Sequence, residues 1–113
     1  MICYSLAIYR VEPAKSFSFV ALCRGDGLRH ALARQTPGYL ATSILLSSTD
    51  PCEYLVLEFW MSATAFQSAE SFPMFAYLSS LLSDLSKSSK MLGMFCFPAE
   101  AAHECLGTAE VVH

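Results

Sequence analysis

The ten residues from Glu53 to Ser62, EYLVLEFWMS, decide the fold of this chain. Alternate side chains of an extended strand point to opposite faces. One face of this segment carries Tyr54, Val56, Glu58 and Trp60, and the other carries Leu55, Leu57, Phe59 and Met61. A strand that is apolar on both faces is typical of the middle of a sheet that is covered on both sides. We therefore predict that the chain is built around this segment as a central strand.

The same patterns divide the rest of the chain into strands and helices. Alternation predicts further strands at Ile2–Val11, Tyr39–Ser47 and Met91–Phe97. Helical spacing predicts one helix from about Ala14 to Arg34, interrupted at Gly25-Asp26-Gly27, and another from about Ala63 to Ser86, interrupted at Ser71-Phe72-Pro73. Ser62 precedes the second helix, where its hydroxyl can cap the N–H groups of Thr64 or Ala65. The two interruptions divide each helix into shorter helices but do not change the order of strands and helices along the chain.

The order β-α-β-β-α-β is that of the ferredoxin-like α+β sandwich. Right-handed crossovers place the first and third strands side by side in the centre, with the second strand outside the third and the fourth outside the first. Two broken helices then cover one face of an antiparallel sheet. The other face is also apolar, so we expect it to be buried in a homodimer that forms through the open sheet face.

The composition also favours a single small domain with a partner. The 113 residues suffice for one core of ordinary size, and 54% of them are apolar while only 15% are charged. That is more apolar surface than a small monomer buries comfortably. The formal net charge of −3 provides no basic patch for phosphates, which argues against nucleic acid as a partner. We expect one domain at residues 1–98 and a C-terminal tail at residues 99–113.

Neither a membrane anchor nor a leader is expected. No window approaches the ~20 apolar residues that a spanning helix needs. The start MICYSLAIYRV lacks the basic lead and the small-residue cleavage site of a secretory signal. We therefore expect no membrane association and a cytoplasmic location. The apolar end of the tail, at Val111 and Val112, is expected to pack across the subunit boundary or onto a sheet edge.

The five cysteines are odd in number and never spaced as a C-x-x-C pair. This pattern argues against a disulfide framework and against a zinc site. We interpret Cys3 and Cys96, which lie inside apolar strands, as small buried hydrophobic residues. His103 and His113 form no metal-ligand spacing with another His, Cys or carboxylate, so we predict no structural metal.

The run PGYLATSILLSSTDPCEYLVLEFWMSATAF, residues 37–66, resembles the antibiotic biosynthesis monooxygenase family of the dimeric α/β-barrel superfamily. The shared features are a Pro-Gly-aromatic entry to a strand, a strand ending in Leu-Leu-x-Ser, an Asp-Pro turn, and a strand ending in Trp-x-Ser before a helix with an aromatic residue. With the flanking elements the resemblance covers roughly residues 2–98. It implies the dimeric ferredoxin-like fold, but proteins of this fold carry out several different activities.

The resemblance also separates the possible activities. Haem-degrading relatives use an Asn on the first strand and a Trp and a His on the second helix. This chain has no Asn, has Ala69 where the Trp is expected, and has no His on that helix, so haem degradation is not expected. The resemblance then implies an oxygenase that needs no cofactor, acting on a small aromatic or quinol-like compound. The alternative is a non-catalytic dimer that binds a small apolar ligand or has a stress-related role.

Two polar residues are candidate catalytic groups. Glu58 is a carboxylate on an apolar face of the central strand, so it either pairs with an arginine, lies near water at the end of the sheet, or serves as a base. His30 and Arg34 lie four residues apart on the first helix and share a face. They could present a proton acceptor and an anion clamp to a substrate, or they could belong to a solvated helix face.

The aromatic candidates for substrate binding are Tyr39, Trp60 and Tyr77. Tyr39 and Tyr77 could hydrogen-bond the oxygen of a phenol or a quinone, as could Tyr4, or each could fill core space. Trp60 ends the central strand and either lines the pocket between sheet and helices or belongs to the core. With Arg34 these residues complete the predicted site, whose proton acceptors are His30 and Glu58.

Overall fold

The computed structural model describes residues 1–24 and 27–98 of the chain. The strands within these ranges are β1 (Cys3–Arg10), β2 (Tyr39–Leu46), β3 (Glu53–Trp60) and β4 (Ser88–Cys96). The helices are α1 (Pro13–Cys23), α2 (Leu28–Ala33), α3 (Ala63–Ala69) and α4 (Pro73–Leu85). The predicted tail lies outside the described residues, so its packing stays a prediction.

The four strands form one antiparallel sheet in the order β2-β3-β1-β4. In the centre β1 pairs with β3, from Cys3 opposite Trp60 to Arg10 opposite Glu53. The α+β ferredoxin-like fold and the predicted placement of every strand are confirmed. β4 begins at Ser88, three residues before the predicted start at Met91, because the backbone enters the sheet directly after α4 ends.

Both interrupted helices occur as predicted, each as a pair of shorter helices. Gly27 lies at the N-cap of α2 and packs tightly on α1: a Cβ atom here would stand 2.4 Å from the carbonyl oxygen of Ala21. At the start of α3, the Ser62 hydroxyl accepts a hydrogen bond from the backbone N–H of Ala65 at 3.1 Å. This bond is one of the two caps that the sequence predicted.

The core lies between the sheet and the helices in two adjoining clusters. The first is formed by Val11, Phe19, Leu22, Cys23, Tyr54, Val56 and Leu82. The second is formed by Ala33, Tyr39, Trp60, Ala69, Phe75 and Leu78. The alternation predicted for β3 is confirmed, since Tyr54, Val56 and Trp60 are buried on the helix side.

One predicted alternation is wrong. Strict alternation places Tyr39 and Thr42 on opposite faces of β2, but both side chains are buried beneath the helices. The pairing of β2 with β3 shifts register between Tyr39 and Ala41. A bulge of this kind adds one residue to a strand and so reverses the facing of every later side chain. It brings Tyr39 and Thr42 to the same side of the sheet.

The interpretation of Cys3 and Cys96 as free thiols is also wrong. The two residues lie opposite each other on β1 and β4, with their Cα atoms 4.0 Å apart, and form a disulfide. They are separated by 93 positions in the sequence, so only strand pairing reveals their proximity. Cys23 and Cys52 are free; the first is buried and the second is half-buried. Cys105 falls outside the described residues.

The face of the sheet opposite the helices carries apolar side chains without a cover from the described residues. Tyr4 contacts Phe59, Phe95 and Phe97 at one end of this face. At the other end lies a groove of about 510 Å³, whose apolar lining residues are Leu6, Ile8, Leu45, Leu46, Leu55 and Leu92. We call this surface the open sheet face. Within the described ranges, no helix is long and apolar enough to cross a membrane.

Candidate active site

A polar row crosses the inner face of the sheet beneath the helices. Glu58 on β3 stands opposite Ser5 of β1 on one side and opposite Thr42 of β2 on the other. The Ser5 hydroxyl donates a hydrogen bond to Oε1 of Glu58 at 3.3 Å. Side chains that face each other across strands in this way come within direct contact. Pairing and the β2 bulge together therefore assemble three polar groups from three separate segments.

Arg29, near the start of α2, bonds to two residues of this row from the helix side of the sheet. Its Nη2 forms an ion pair with Oε2 of Glu58, and its Nη1 donates to the Thr42 hydroxyl at 3.0 Å. The Arg29 side chain is only 1% exposed and that of Glu58 is 12% exposed. Taking either charge out of water alone is costly, so each stabilises the presence of the other. Of the alternatives that the sequence left open for Glu58, the pairing with an arginine is the one that occurs.

Arg29 and Glu58 line a cavity of about 390 Å³ between the sheet and the helices. Tyr9 of β1 lines the cavity as well. The apolar part of the wall is formed by Phe66, Phe75, Ala76, Leu82 and Met91, while the exposed residues Glu70 and Ser79 contribute further lining. Apolar walls with a few convergent polar groups are typical of a small-molecule site.

The aromatic residues behind the cavity hold its wall in place. The Phe75 ring lies beneath the guanidinium of Arg29, and its centroid is 5.4 Å from the Cζ atom of Arg29. Trp60 is fully buried and meets Phe75 and Phe66 edge to face, with ring centroids 5.3 Å and 5.7 Å apart. It does not line the cavity itself. Trp60, which the sequence placed either in the pocket or in the core, thus packs from the core side against the two cavity residues Phe66 and Phe75.

A chain of hydrogen bonds extends from the ion pair to His30. The Thr42 hydroxyl, which accepts from Arg29, is also bonded to the hydroxyl of Tyr39. The Tyr39 hydroxyl lies 3.4 Å from Nδ1 of His30. Burial raises the pKa of Tyr39, and the bond to Thr42 offsets part of that rise. His30 is therefore linked to the cavity through Tyr39, Thr42 and Arg29, without lining it.

The structure brings some of the predicted site residues together and leaves two apart. Glu58 lies in the cavity, and Tyr39, Trp60 and His30 form a layer directly behind it. Arg34 is exposed at the end of α2. Tyr77 is 55% exposed, because it follows Phe75 by two positions on α4 and such positions lie on different sides of a helix.

Sequence reasoning missed Arg29 and Tyr9. Arg29 and Ala33 are the residues that α2 buries, whereas the apolar Leu28 beside Arg29 is 57% exposed. A signal for it existed: Glu58 required a cation, and the chain has only seven lysines and arginines. Tyr9 shares the inner face of β1 with Ser5 and Ala7, and no local pattern marks it as a cavity residue. In the described ranges, no group of three or more His, Cys, Asp or Glu side chains could hold a metal ion.

A ferredoxin-like α+β domain with an apolar cavity between sheet and helices defines a class that contains many enzymes. The family model of antibiotic biosynthesis monooxygenases matches residues 4–76. The chain belongs to the antibiotic biosynthesis monooxygenase family, as its resemblance in residues 37–66 implied. No curated protein sequence matches the chain.

Several solved structures share the fold. SnoaB from Streptomyces nogalater, a cofactor-independent oxygenase, superposes with a TM-score of 0.63 at 21% identity, covering 86% of this chain and 92% of SnoaB. A conserved protein of unknown function from Bacteroides thetaiotaomicron, described as a possible oxidoreductase, gives a TM-score of 0.65 at 18% identity, over 85% of this chain and 97% of that one. A conserved protein from Methanosarcina mazei gives 0.65 at 18% identity, over 87% and 94%. At these identities the likeness concerns the fold.

Proposed function

We propose that this protein is a cofactor-independent oxygenase that acts on a small aromatic or quinol-like compound. The observation that carries the proposal is a buried charge pair, Arg29 with Glu58, in the wall of a cavity whose lining is mainly apolar and aromatic. The cavity of about 390 Å³ suits a small ring compound. Its aromatic walls at Phe66 and Phe75 favour a flat ligand, and the charged groups favour a ligand with ring oxygens.

The proposed reaction requires few functional groups from the protein. An electron-rich phenolic compound that loses its hydroxyl proton becomes a carbanion equivalent, which can reduce dioxygen directly. A ring CH2 group, or its enol form, is oxidised to a carbonyl while one oxygen atom enters the product and the other leaves as water. The positive charge of Arg29 favours the anion that starts this sequence. A ring compound that fills the cavity would displace water from the charge pair, which would strengthen that electrostatic effect.

Glu58 is the proposed proton acceptor because it lines the cavity, and in this role its carboxylate accepts from the substrate hydroxyl in competition with Arg29 and Ser5. His30 is assigned a supporting role through Tyr39 and Thr42, since the hydrogen-bond chain connects it to Arg29. Trp60 is assigned to the support of the two phenylalanines that would face the substrate ring. Arg34 and Tyr77 lie outside the cavity, so the proposal gives them no contact with the substrate.

Oxygen consumption with a panel of hydroquinones tests this function. We expect a rate above that of buffer for the wild type and a loss of at least tenfold for Glu58→Gln, which keeps the shape of the side chain but removes the proton acceptor. Glu12→Gln is the matched control, because Glu12 is exposed and does not line the cavity. A wild-type rate equal to that of buffer over the whole panel would overturn the oxygenase proposal.

The active form is proposed to be a homodimer in which the open sheet face of each subunit covers that of the other. The groove at Leu6, Ile8 and Leu55 and the aromatic group around Tyr4 give this face a continuous apolar character. Exposed apolar patches of such extent mark interaction surfaces in soluble proteins. A second copy supplies the same apolar surface, so the two faces match.

A second candidate function is the binding of a small aromatic ligand without turnover. One observation favours it: both oxygens of Glu58 already accept hydrogen bonds, one from Ser5 and one from Arg29. A ligand hydroxyl would have to compete with these two bonds for the carboxylate oxygens. Tight binding of hydroquinones with no oxygen consumption would favour this candidate over the oxygenase.

A further inference from the structure

Tyr9 is a half-buried polar residue of the cavity wall that has no fixed partner; Glu70 and Ser79, which also line the cavity, are exposed. Arg29 and Glu58 bind each other, Ser5 and Thr42. Within residues 1–24 and 27–98, the structure records no hydrogen bond from the Tyr9 hydroxyl. The ring of Tyr9 packs in the core against Phe19, with centroids 5.4 Å apart, so the side chain is held by its ring alone.

The Tyr9 hydroxyl remains a hydrogen-bond donor at every ordinary pH. Burial, followed by the negative charge of Glu58, raises the pKa of Tyr9 to about 12. Tyr9 on β1 and Glu58 on β3 line the same cavity. Arg29 and Glu58 bond to each other, to Thr42 and to Ser5, and neither bonds to Tyr9, so the hydroxyl of Tyr9 is left available.

We propose that Tyr9 is a specificity-determining residue, whose hydroxyl donates a hydrogen bond to a ring oxygen of the ligand while Glu58 accepts the proton of that same ring hydroxyl. A ring hydroxyl satisfies both partners, because its oxygen accepts and its hydrogen donates. A methyl ether has no hydrogen for Glu58, and an unsubstituted ring has no oxygen for either group. The cavity thus selects aromatic compounds with a free hydroxyl group. This inference rests on the proposed ligand class but not on turnover.

The test measures binding by equilibrium dialysis with three probes: 2-naphthol, 2-methoxynaphthalene and naphthalene. The wild type is expected to bind 2-naphthol more tightly than the other two. Tyr9→Phe is expected to weaken 2-naphthol binding by about three- to tenfold, the effect of one lost hydrogen bond, and to leave naphthalene binding within about twofold. If Tyr9 had only a structural role, Tyr9→Phe would weaken the binding of all three probes by the same factor.

Tyr4→Phe is the matched control, because Tyr4 lies on the same strand but on the open sheet face, away from the cavity. It is expected to keep the wild-type preference for 2-naphthol over naphthalene. Phenylalanine at position 9 retains the ring that packs on Phe19, and circular dichroism checks that the variant folds. If Tyr9→Phe does not fold, the preference of the wild type for 2-methoxynaphthalene over naphthalene tests the role of Tyr9, because the ether oxygen still accepts a hydrogen bond and naphthalene has no oxygen.

The outcomes separate this inference from the proposed function. Unchanged 2-naphthol binding in Tyr9→Phe, or equal wild-type affinity for 2-methoxynaphthalene and naphthalene, overturns the role of Tyr9 and leaves the oxygenase proposal standing. A selective loss in Tyr9→Phe without oxygen consumption by the wild type supports Tyr9 and overturns the oxygenase. Failure of the wild type to bind any probe overturns the inference.

Discussion

Arg29 and Glu58 form an ion pair that joins α2 to β3 across the inner face of the sheet. Arg29 is the more deeply buried partner, at 1% exposure against 12% for Glu58. The remaining bonds of the pair go to Ser5 on β1 and Thr42 on β2. The pair therefore ties one helix to three strands at the point where the cavity opens.

Removing one partner of this pair is expected to destabilise the protein unequally. Glu58→Leu leaves the guanidinium of Arg29 buried without its counter-charge and should cost about 3–5 kcal/mol of unfolding free energy. Arg29→Met should cost less, because the cavity gives water some access to Glu58. Urea denaturation of both variants and of the double variant measures these effects.

The double variant Arg29→Met/Glu58→Leu is expected to recover most of the loss, since it leaves no unpaired charge. Arg10→Met serves as a control: its pair with Asp50 is exposed, with side chains 46% and 34% accessible, and should contribute little. Equal unfolding free energies of Glu58→Leu and the wild type would show that the ion pair does not stabilise the packing of α2 on the sheet.

The proposed dimer is expected to fail when a charge enters the open sheet face. Leu57 lies on this face, opposite Leu6 of β1, so Leu57→Asp would bury an unpaired carboxylate between subunits. Light scattering at micromolar concentration should give twice the chain mass of 12.4 kDa for the wild type and a large loss of dimer for the variant. Gln67→Asp, on the exposed side of α3, should keep the dimer. A folded wild-type monomer would refute the arrangement.

Loss of the disulfide between Cys3 and Cys96 is expected to lower stability. The bond closes a loop of most of the domain, and removal of such a cross-link costs about 2–4 kcal/mol. Urea denaturation with and without reductant, and of the Cys3→Ser/Cys96→Ser variant, measures this cost. Cys52→Ser should have little effect because Cys52 is a free thiol. Identical midpoints with and without reductant, with thiol titration confirming reduction, would contradict the prediction.

Alkaline pH is expected to weaken the fold through Tyr9. The pKa of Tyr9 rises from 10.0 to about 12 on folding, so the unfolded chain loses this proton first. The stabilisation is therefore fully present below pH 10 and is lost as the pH rises through about 12. Burial raises the pKa of the Cys23 thiol from 9.0 to about 12 as well, which adds a loss of the same sign that begins at lower pH.

Tyr9→Phe should therefore show a shallower fall of unfolding free energy than the wild type between pH 10 and about 12. Below this window the difference between the two proteins should not depend on pH. Urea denaturation at a series of pH values measures both curves. Parallel curves throughout would show that the Tyr9 hydroxyl is equally hydrated in the folded and unfolded chains.

Local patterns in the sequence determined the elements and their order. The alternation in Glu53–Ser62, the breaks in both helices and the cap at Ser62 each depend on neighbouring residues, and the structure confirms them. The sheet order followed because right-handed crossovers leave few ways to connect β-α-β-β-α-β. The need of Glu58 for a partner was also visible, since a carboxylate on an apolar face requires one.

Tertiary structure alone decided which distant residues meet. Arg29 reaches Glu58 over 29 positions, and Cys3 reaches Cys96 over 93, so neither pair has a spacing that a local pattern could reveal. The bulge in β2 depends on its pairing with β3, and it determines that Tyr39 and Thr42 share the inner face. The cavity forms where helices and sheet leave space between packed side chains. Periodicity specifies which face of an element is buried, but only packing of the whole chain specifies which residues face one another there.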